Sequence, residues 1–122
     1  MDSAAMNSQA VELTIKALSD SLQDRYPDYC AAVREVCAEL DETLFFVARS
    51  HDTLLIRSRG EKDYYSFVYI KPQINGIEIG LQTVTRQHEV HEVRTHAFIG
   101  RFESLHARLP PLMDELQSFC SR

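Results

Sequence analysis

Three histidines fall within nine residues, in the run His88-Glu89-Val90-His91-Glu92-Val93-Arg94-Thr95-His96. Imidazoles bind transition metals and exchange protons near neutral pH. Converging on one ion, His88, His91 and His96 would form a metal centre, with Glu89 or Glu92 as the base of a small metal-dependent hydrolase. Local conformation decides whether they converge. A helix would line up His88, Glu92 and His96 at four-residue spacing. A strand would place His88 and His96 on one face and His91 on the other. The zinc-protease signature requires two residues between its Glu and its second His, whereas Val90 alone separates Glu89 from His91. Val93, Thr95 and Ile99 favour extended structure, so the metal centre is the alternative and no cofactor is expected.

A second group able to bind a ligand is aromatic. Tyr64, Tyr65, Phe67 and Tyr69 occupy one predicted strand, on which Tyr65, Phe67 and Tyr69 share a face. Arg57 or Arg59 on the preceding strand would lie beside them. Rings next to guanidinium groups stack planar ligands or single-stranded nucleic acid, although aromatic pairs across strands also serve simply as sheet packing. Arg57, Tyr65 and Tyr69 are therefore the candidate ligand or partner surface. Nucleophilic catalysis finds no support: there is no Gly-x-Ser-x-Gly elbow, and the cysteines lie in apolar helical stripes.

These residues must be positioned by a chain of 122 residues, the size of one domain with a real core. An apolar content of 44% and a charged content of 25% are ordinary for a globular protein. The formal net charge of -5 opposes nucleic acid and anionic lipid, which demand excess Lys and Arg. No stretch has the length and apolarity of a membrane span, and the first residues carry no signal-peptide pattern. Cys30, Cys37 and Cys120 are odd in number. The first two lie seven apart on a predicted helix, roughly 10.5 Å by helical rise, too far to bridge. Buried, reduced thiols in the cytoplasm are the expectation.

Residues 1–8 are small and polar and are expected to form a flexible N-terminus, leaving residues 9–122 as a single α+β domain. Val11, Ile15, Leu18 and Leu22 mark a first amphipathic helix. Pro27 suits the first turn of a second, whose buried face would comprise Tyr29, Val33, Val36, Cys37 and Leu40. Strands are expected at residues 44–48, 53–59 and 64–71, the last closed by Pro72. Asn75-Gly76 predicts a tight hairpin built on positive φ, followed by the alternating Ile77, Ile79 and Leu81. Gly80 marks a bulge or close packing. Residues 85–92 are polar and ambiguous, and Val93 to Ile99 suggest a last strand. Pro110-Pro111 would break a helix interior, so the terminal helix is expected to start there, with Leu112, Met113, Leu116, Phe119 and Cys120 inward. The predicted layout is two N-terminal helices, an antiparallel four- to five-stranded meander and a C-terminal helix packed on one face.

The runs Thr53-Leu54-Leu55-Ile56-Arg57, Tyr64-Tyr65-Ser66-Phe67-Val68-Tyr69-Ile70-Lys71-Pro72 and Asn75-Gly76-Ile77-Glu78-Ile79-Gly80-Leu81 resemble a known pattern. It is that of small bacterial domains of unknown function with a YdhG-like, frataxin-resembling α+β fold. The resemblance covers roughly residues 22–120 and implies a helix–meander–helix layout, with no catalytic residues to carry over. The function expected from the sequence is a non-enzymatic binding or interaction module, self-association included. The metal-dependent enzyme and a single-stranded nucleic-acid binder on the Tyr65–Tyr69 face are the alternatives.

Overall fold

The computed structural model describes residues 3–59, 66–87 and 90–120, with side chains at all of these except 3–10, 84–87 and 90–96. It is an α+β fold of three helices and a five-stranded antiparallel sheet in the order β1-β2-β3-β4-β5. The elements are α1 (Ser3–Leu22), α2 (Pro27–Glu39), β1 (Phe45–Ser50), β2 (Thr53–Ser58), β3 (Phe67–Gln73), β4 (Gly76–Gln87), β5 (Val90–Gly100) and α3 (Leu105–Cys120), the last preceded by a single 3₁₀ turn.

The helices cover one face of the sheet. Alternation along the strands sends Phe45, Val47, Leu54, Ile56, Val68, Ile70, Ile77, Ile79 and Leu81 inward. They meet Val11, Ile15, Leu18 and Leu22 of α1, the Tyr29-to-Cys37 stripe of α2, and Leu105, Leu109 and Leu116 of α3. Both N-terminal stripes expected from the sequence are thus core. Arg34 ties α2 to α1 by donating to Ser19 Oγ at 3.1 Å. Tyr29 ties α2 to the sheet: its hydroxyl donates to the Ile70 carbonyl at 2.6 Å and accepts from the Leu54 N–H at 3.1 Å. Leu54 and Ile70 are register partners on β2 and β3, so the hydroxyl bridges one rung of the ladder.

That rung explains why Pro72 lies inside β3 instead of ending it. The pairing of β2 with β3 runs only from Leu54↔Ile70 to Ile56↔Val68. Beyond Ile70, β3 is locally an edge strand, and the missing N–H of Pro72 breaks no ladder bond. On its other side Pro72 pairs with Ile77. The hairpin then forms without the expected positive φ. Its loop is Ile74–Asn75, with Gln73 opposite Gly76, and His51 in the β1–β2 turn is the residue with positive φ, at 53°, among those described. Gly76 is needed for a different reason: a Cβ there would run into the Gly100 carbonyl of β5. Gly80 is a close-packing glycine, since a Cβ would enter the Tyr69 ring.

Three element boundaries differ from the sequence expectation. The first helix begins at Ser3, ahead of its apolar stripe, because Ala4, Ala5 and Met6 are good helix formers. Of the polar stretch at residues 85–92, residues 85–87 end β4 and residues 90–92 begin β5, paired in register up to Gln87↔Val90. Most informative is α3, which carries Pro110 and Pro111 in its interior. Each proline removes an intrahelical bond and crowds the preceding turn. Leu105 and Leu109, one turn apart and both buried, anchor the segment before the prolines, and this burial outweighs the local penalty. Pro111 is exposed, so Pro111→Ala is expected to raise stability to urea by about 1–3 kcal/mol. A destabilised variant would show that the proline shapes the packing of α3.

Candidate functional site

The face of the sheet turned away from the helices carries Phe46 and Ala48 from β1, Leu55 and Arg57 from β2, Phe67, Tyr69 and Lys71 from β3, and Glu78, Gly80 and Gln82 from β4. Apart from Leu55 and Gly80, these residues are half-buried or exposed, whereas their sequence neighbours on β2, β3 and β4 are buried except for the half-buried Pro72 and Thr83. On β5 this face continues through Ala97 and Ile99, the latter 67% exposed. Strand alternation alone distributes the side chains this way, with a helix-covered face and one that the described helices leave open.

Tyr69 lies across Gly80, its register partner, and donates its hydroxyl to Glu78 Oε2 at 2.7 Å. Gln73 approaches the other Glu78 oxygen at 3.4 Å. Burial, then the hydrogen bond to and the charge of Glu78, push the Tyr69 phenol up to about 12. Phe67 stands edge-on to Tyr69, with ring centroids 6.3 Å apart. At the other side of the face Arg59 sits over the Phe46 ring at 5.6 Å and donates through Nε to the Glu42 carbonyl at 2.6 Å.

Between these groups is Arg57, half-buried and opposite Phe46 in the register. Its Nε is buried and has no hydrogen-bond partner. A buried N–H on a cationic group left without an acceptor is costly, on the order of 1–3 kcal/mol or more. It is the one buried polar side-chain atom left so among the described residues. A guanidinium presents a planar fork suited to a carboxylate or phosphate, and here that fork is held on a rigid strand among aromatic side chains.

The sequence-predicted residues separate in the structure. Arg57 and Tyr69 share the open face with Phe67, while Tyr65 lies outside the described residues. His88 is also outside them, as are the side chains of His91 and His96. The backbone nevertheless rules out the helical ladder of His88, Glu92 and His96, because Val90–Gly100 is a single strand. In the register His91 is opposite Arg86 and His96 opposite Leu81. Among the described residues no cluster of three metal-ligating side chains occurs. Cys30 and Cys37 are free and buried. Burial, reinforced by the charges of Glu12 and Glu42, pushes the Cys37 thiol up to about 12, and burial raises that of Cys30. Neither is poised as a thiolate nucleophile. No family model, curated protein or solved structure matches the chain. Its chemistry has to be argued from these residues.

The raised phenol and thiol have a measurable consequence. Folded-state values above the ordinary 10.0 of Tyr69 and 9.0 of Cys37 mean that stability is complete below those pH values and is lost as pH rises through about 12. The urea midpoint is expected to fall from about pH 9 upward, and less steeply between pH 10 and 12 in Tyr69→Phe. An unchanged slope in that variant would show that Tyr69 ionises as freely folded as unfolded.

Proposed function

We propose that the protein is a non-enzymatic interaction module that docks an acidic segment of a protein partner on its open sheet face, with Arg57 receiving a carboxylate. The observation that carries this reading is the buried, unpaired Nε of Arg57. A carboxylate would supply the missing acceptor in a paired fork geometry. Arg59 and Lys71 add positive charge to the same face, against one carboxylate among the described residues, that of Glu78, itself engaged by Tyr69. Phe46 and Phe67 offer apolar area beside the anchor, the composition of a typical interface centre, and Ile99 extends the apolar area at the far edge of the face.

The face supports a local acidic contact better than an extended polyanion. A net charge of -5 repels a phosphate backbone at long range, and the Tyr69 ring spends one side on Gly80 with a carboxylate beside it. A second copy of this acidic chain has suitable carboxylates, so self-association is a form of the same proposal. The YdhG-like resemblance brings a layout and no chemistry, and nothing in the proposal depends on it. Among the described residues no helix is long and apolar enough to cross a membrane. The buried thiols support placing the module in the reducing cytoplasm.

The test is an NMR titration that follows the Arg57 Nε–H resonance and the amides of Phe67 and Gln82 as a short Glu-rich peptide containing Phe is added. Saturable shifts at these groups, absent in Arg57→Met and stronger than those from an oligonucleotide of equal charge, are expected. The same variant should be more stable than the parent by about 1 kcal/mol, because a buried unpaired donor has been removed. Shifts confined to other surfaces, or Arg57→Met less stable than the parent, would overturn the reading.

A further inference from the structure

A second surface lies on the opposite, helical side of the molecule. Where α2 ends and α3 begins, Val36, Leu40, Phe45, Leu105, Leu109 and Met113 enclose an apolar groove of about 250 Å³. Val36, Phe45, Leu105 and Leu109 are core residues and form its floor; Leu40 and Met113 are partly buried walls. Its volume falls below the roughly 300 Å³ at which small-molecule sites begin. It is suited to one or two large apolar side chains.

The rim of this groove is acidic. Glu39, Asp41 and Asp114 line it, and Glu35 stands beside it, 3.5 Å from His106. Asp41 is held ionised by the hydroxyl and the backbone N–H of Thr43, which lower its pKa. Among the described residues that line the groove, which include His106, there is no Lys or Arg. The prolines of α3 add acceptors to the same helix: without an N–H at positions 110 and 111, the carbonyls of His106 and Ala107 lack their usual donors four residues on. An apolar slot ringed by carboxylates complements a segment with apolar anchors flanked by ammonium or guanidinium groups. It repels anionic lipid and nucleic acid.

We propose that this groove docks a basic amphipathic helix of a partner protein, independently of the open sheet face. The apolar anchors of such a helix fill the space over Leu105, Leu109 and Met113, and its Lys or Arg residues meet Glu39, Asp41 and Asp114.

Fluorescence anisotropy of the full chain with labelled Lys/Leu and Glu/Leu amphipathic peptides tests the proposal. The Lys/Leu peptide should bind saturably and the Glu/Leu peptide at least tenfold more weakly. Neutralising the exposed rim in Glu39→Gln/Asp114→Asn, which leaves the core untouched, should weaken the Lys/Leu complex about tenfold. Met113→Lys should weaken it further, and Arg57→Met should leave it unchanged. Equal binding of the two peptides, no binding, or indifference to the rim variants would overturn the proposal. So would a homodimer in sedimentation that the rim variants dissociate, since the occupant would then be a second copy. Loss of binding in Arg57→Met would assign the peptide to the sheet face instead.

Discussion

The hydroxyl of Tyr29 is the joint between the two layers. It donates to the Ile70 carbonyl and accepts from the Leu54 N–H, so a helix side chain bridges a rung of the sheet at its most buried point. Leu54 and Ile70 are both fully buried, and water cannot replace the missing partner. The pairing of β2 with β3 ends at this rung, which permits Pro72 within a central strand. Burial pushes the ionisation of Tyr29 well above its ordinary value, with the Leu54 N–H partly opposing that shift. The hydroxyl therefore remains the neutral donor that the Ile70 carbonyl requires. Fixing α2 against β2 and β3 from one side commits the helices to that side and leaves the other face of the sheet open.

Both proposed surfaces follow from this one-sided arrangement. On the open face, Arg57 keeps an N–H buried without an acceptor, an arrangement that folding alone does not favour. On the helical side, α3 tolerates two internal prolines because Leu105 and Leu109 are buried ahead of them. Those same leucines floor the groove that the end of α2 closes. One surface is cationic with aromatic surroundings and the other is apolar with an acidic rim. A chain with two surfaces of opposite charge preference is suited to holding two different segments, or to bridging them.

Much of the architecture was legible because its signals are periodic. The four- and three-residue spacing of Val11, Ile15, Leu18 and Leu22, and the alternation of Ile77, Ile79 and Leu81, report burial directly. The same alternation put Arg57 and Tyr69 on a common face. Tertiary contacts were harder to read. Asn75-Gly76 signalled a hairpin, yet its glycine answers to the approach of Gly100 from a strand more than twenty residues away. Pro110-Pro111 signalled a helix start, because the sequence does not display how deeply Leu105 and Leu109 are buried. The acidic groove was hidden for the same reason: Leu105 and Leu109, half of its floor, precede the expected start of the terminal helix. The histidine run stands out by residue type, but from Val90 onward its backbone is a strand, not the helix that a four-residue ligand ladder needs. The bridge itself was invisible, as Tyr29 looked like one more residue of an apolar stripe.

The central claim is that the Tyr29 hydroxyl, more than its ring, holds the helical layer to the sheet. Amide hydrogen exchange of Leu54, measured alongside urea unfolding in Tyr29→Phe, tests it most directly. The ring remains in that variant, so only the bridge is lost. Leu54 is expected to lose its protection and stability to fall by about 2–3 kcal/mol, the cost of stranding a buried N–H and a buried carbonyl. A variant within about 0.5 kcal/mol of the parent, with Leu54 still protected, would contradict it.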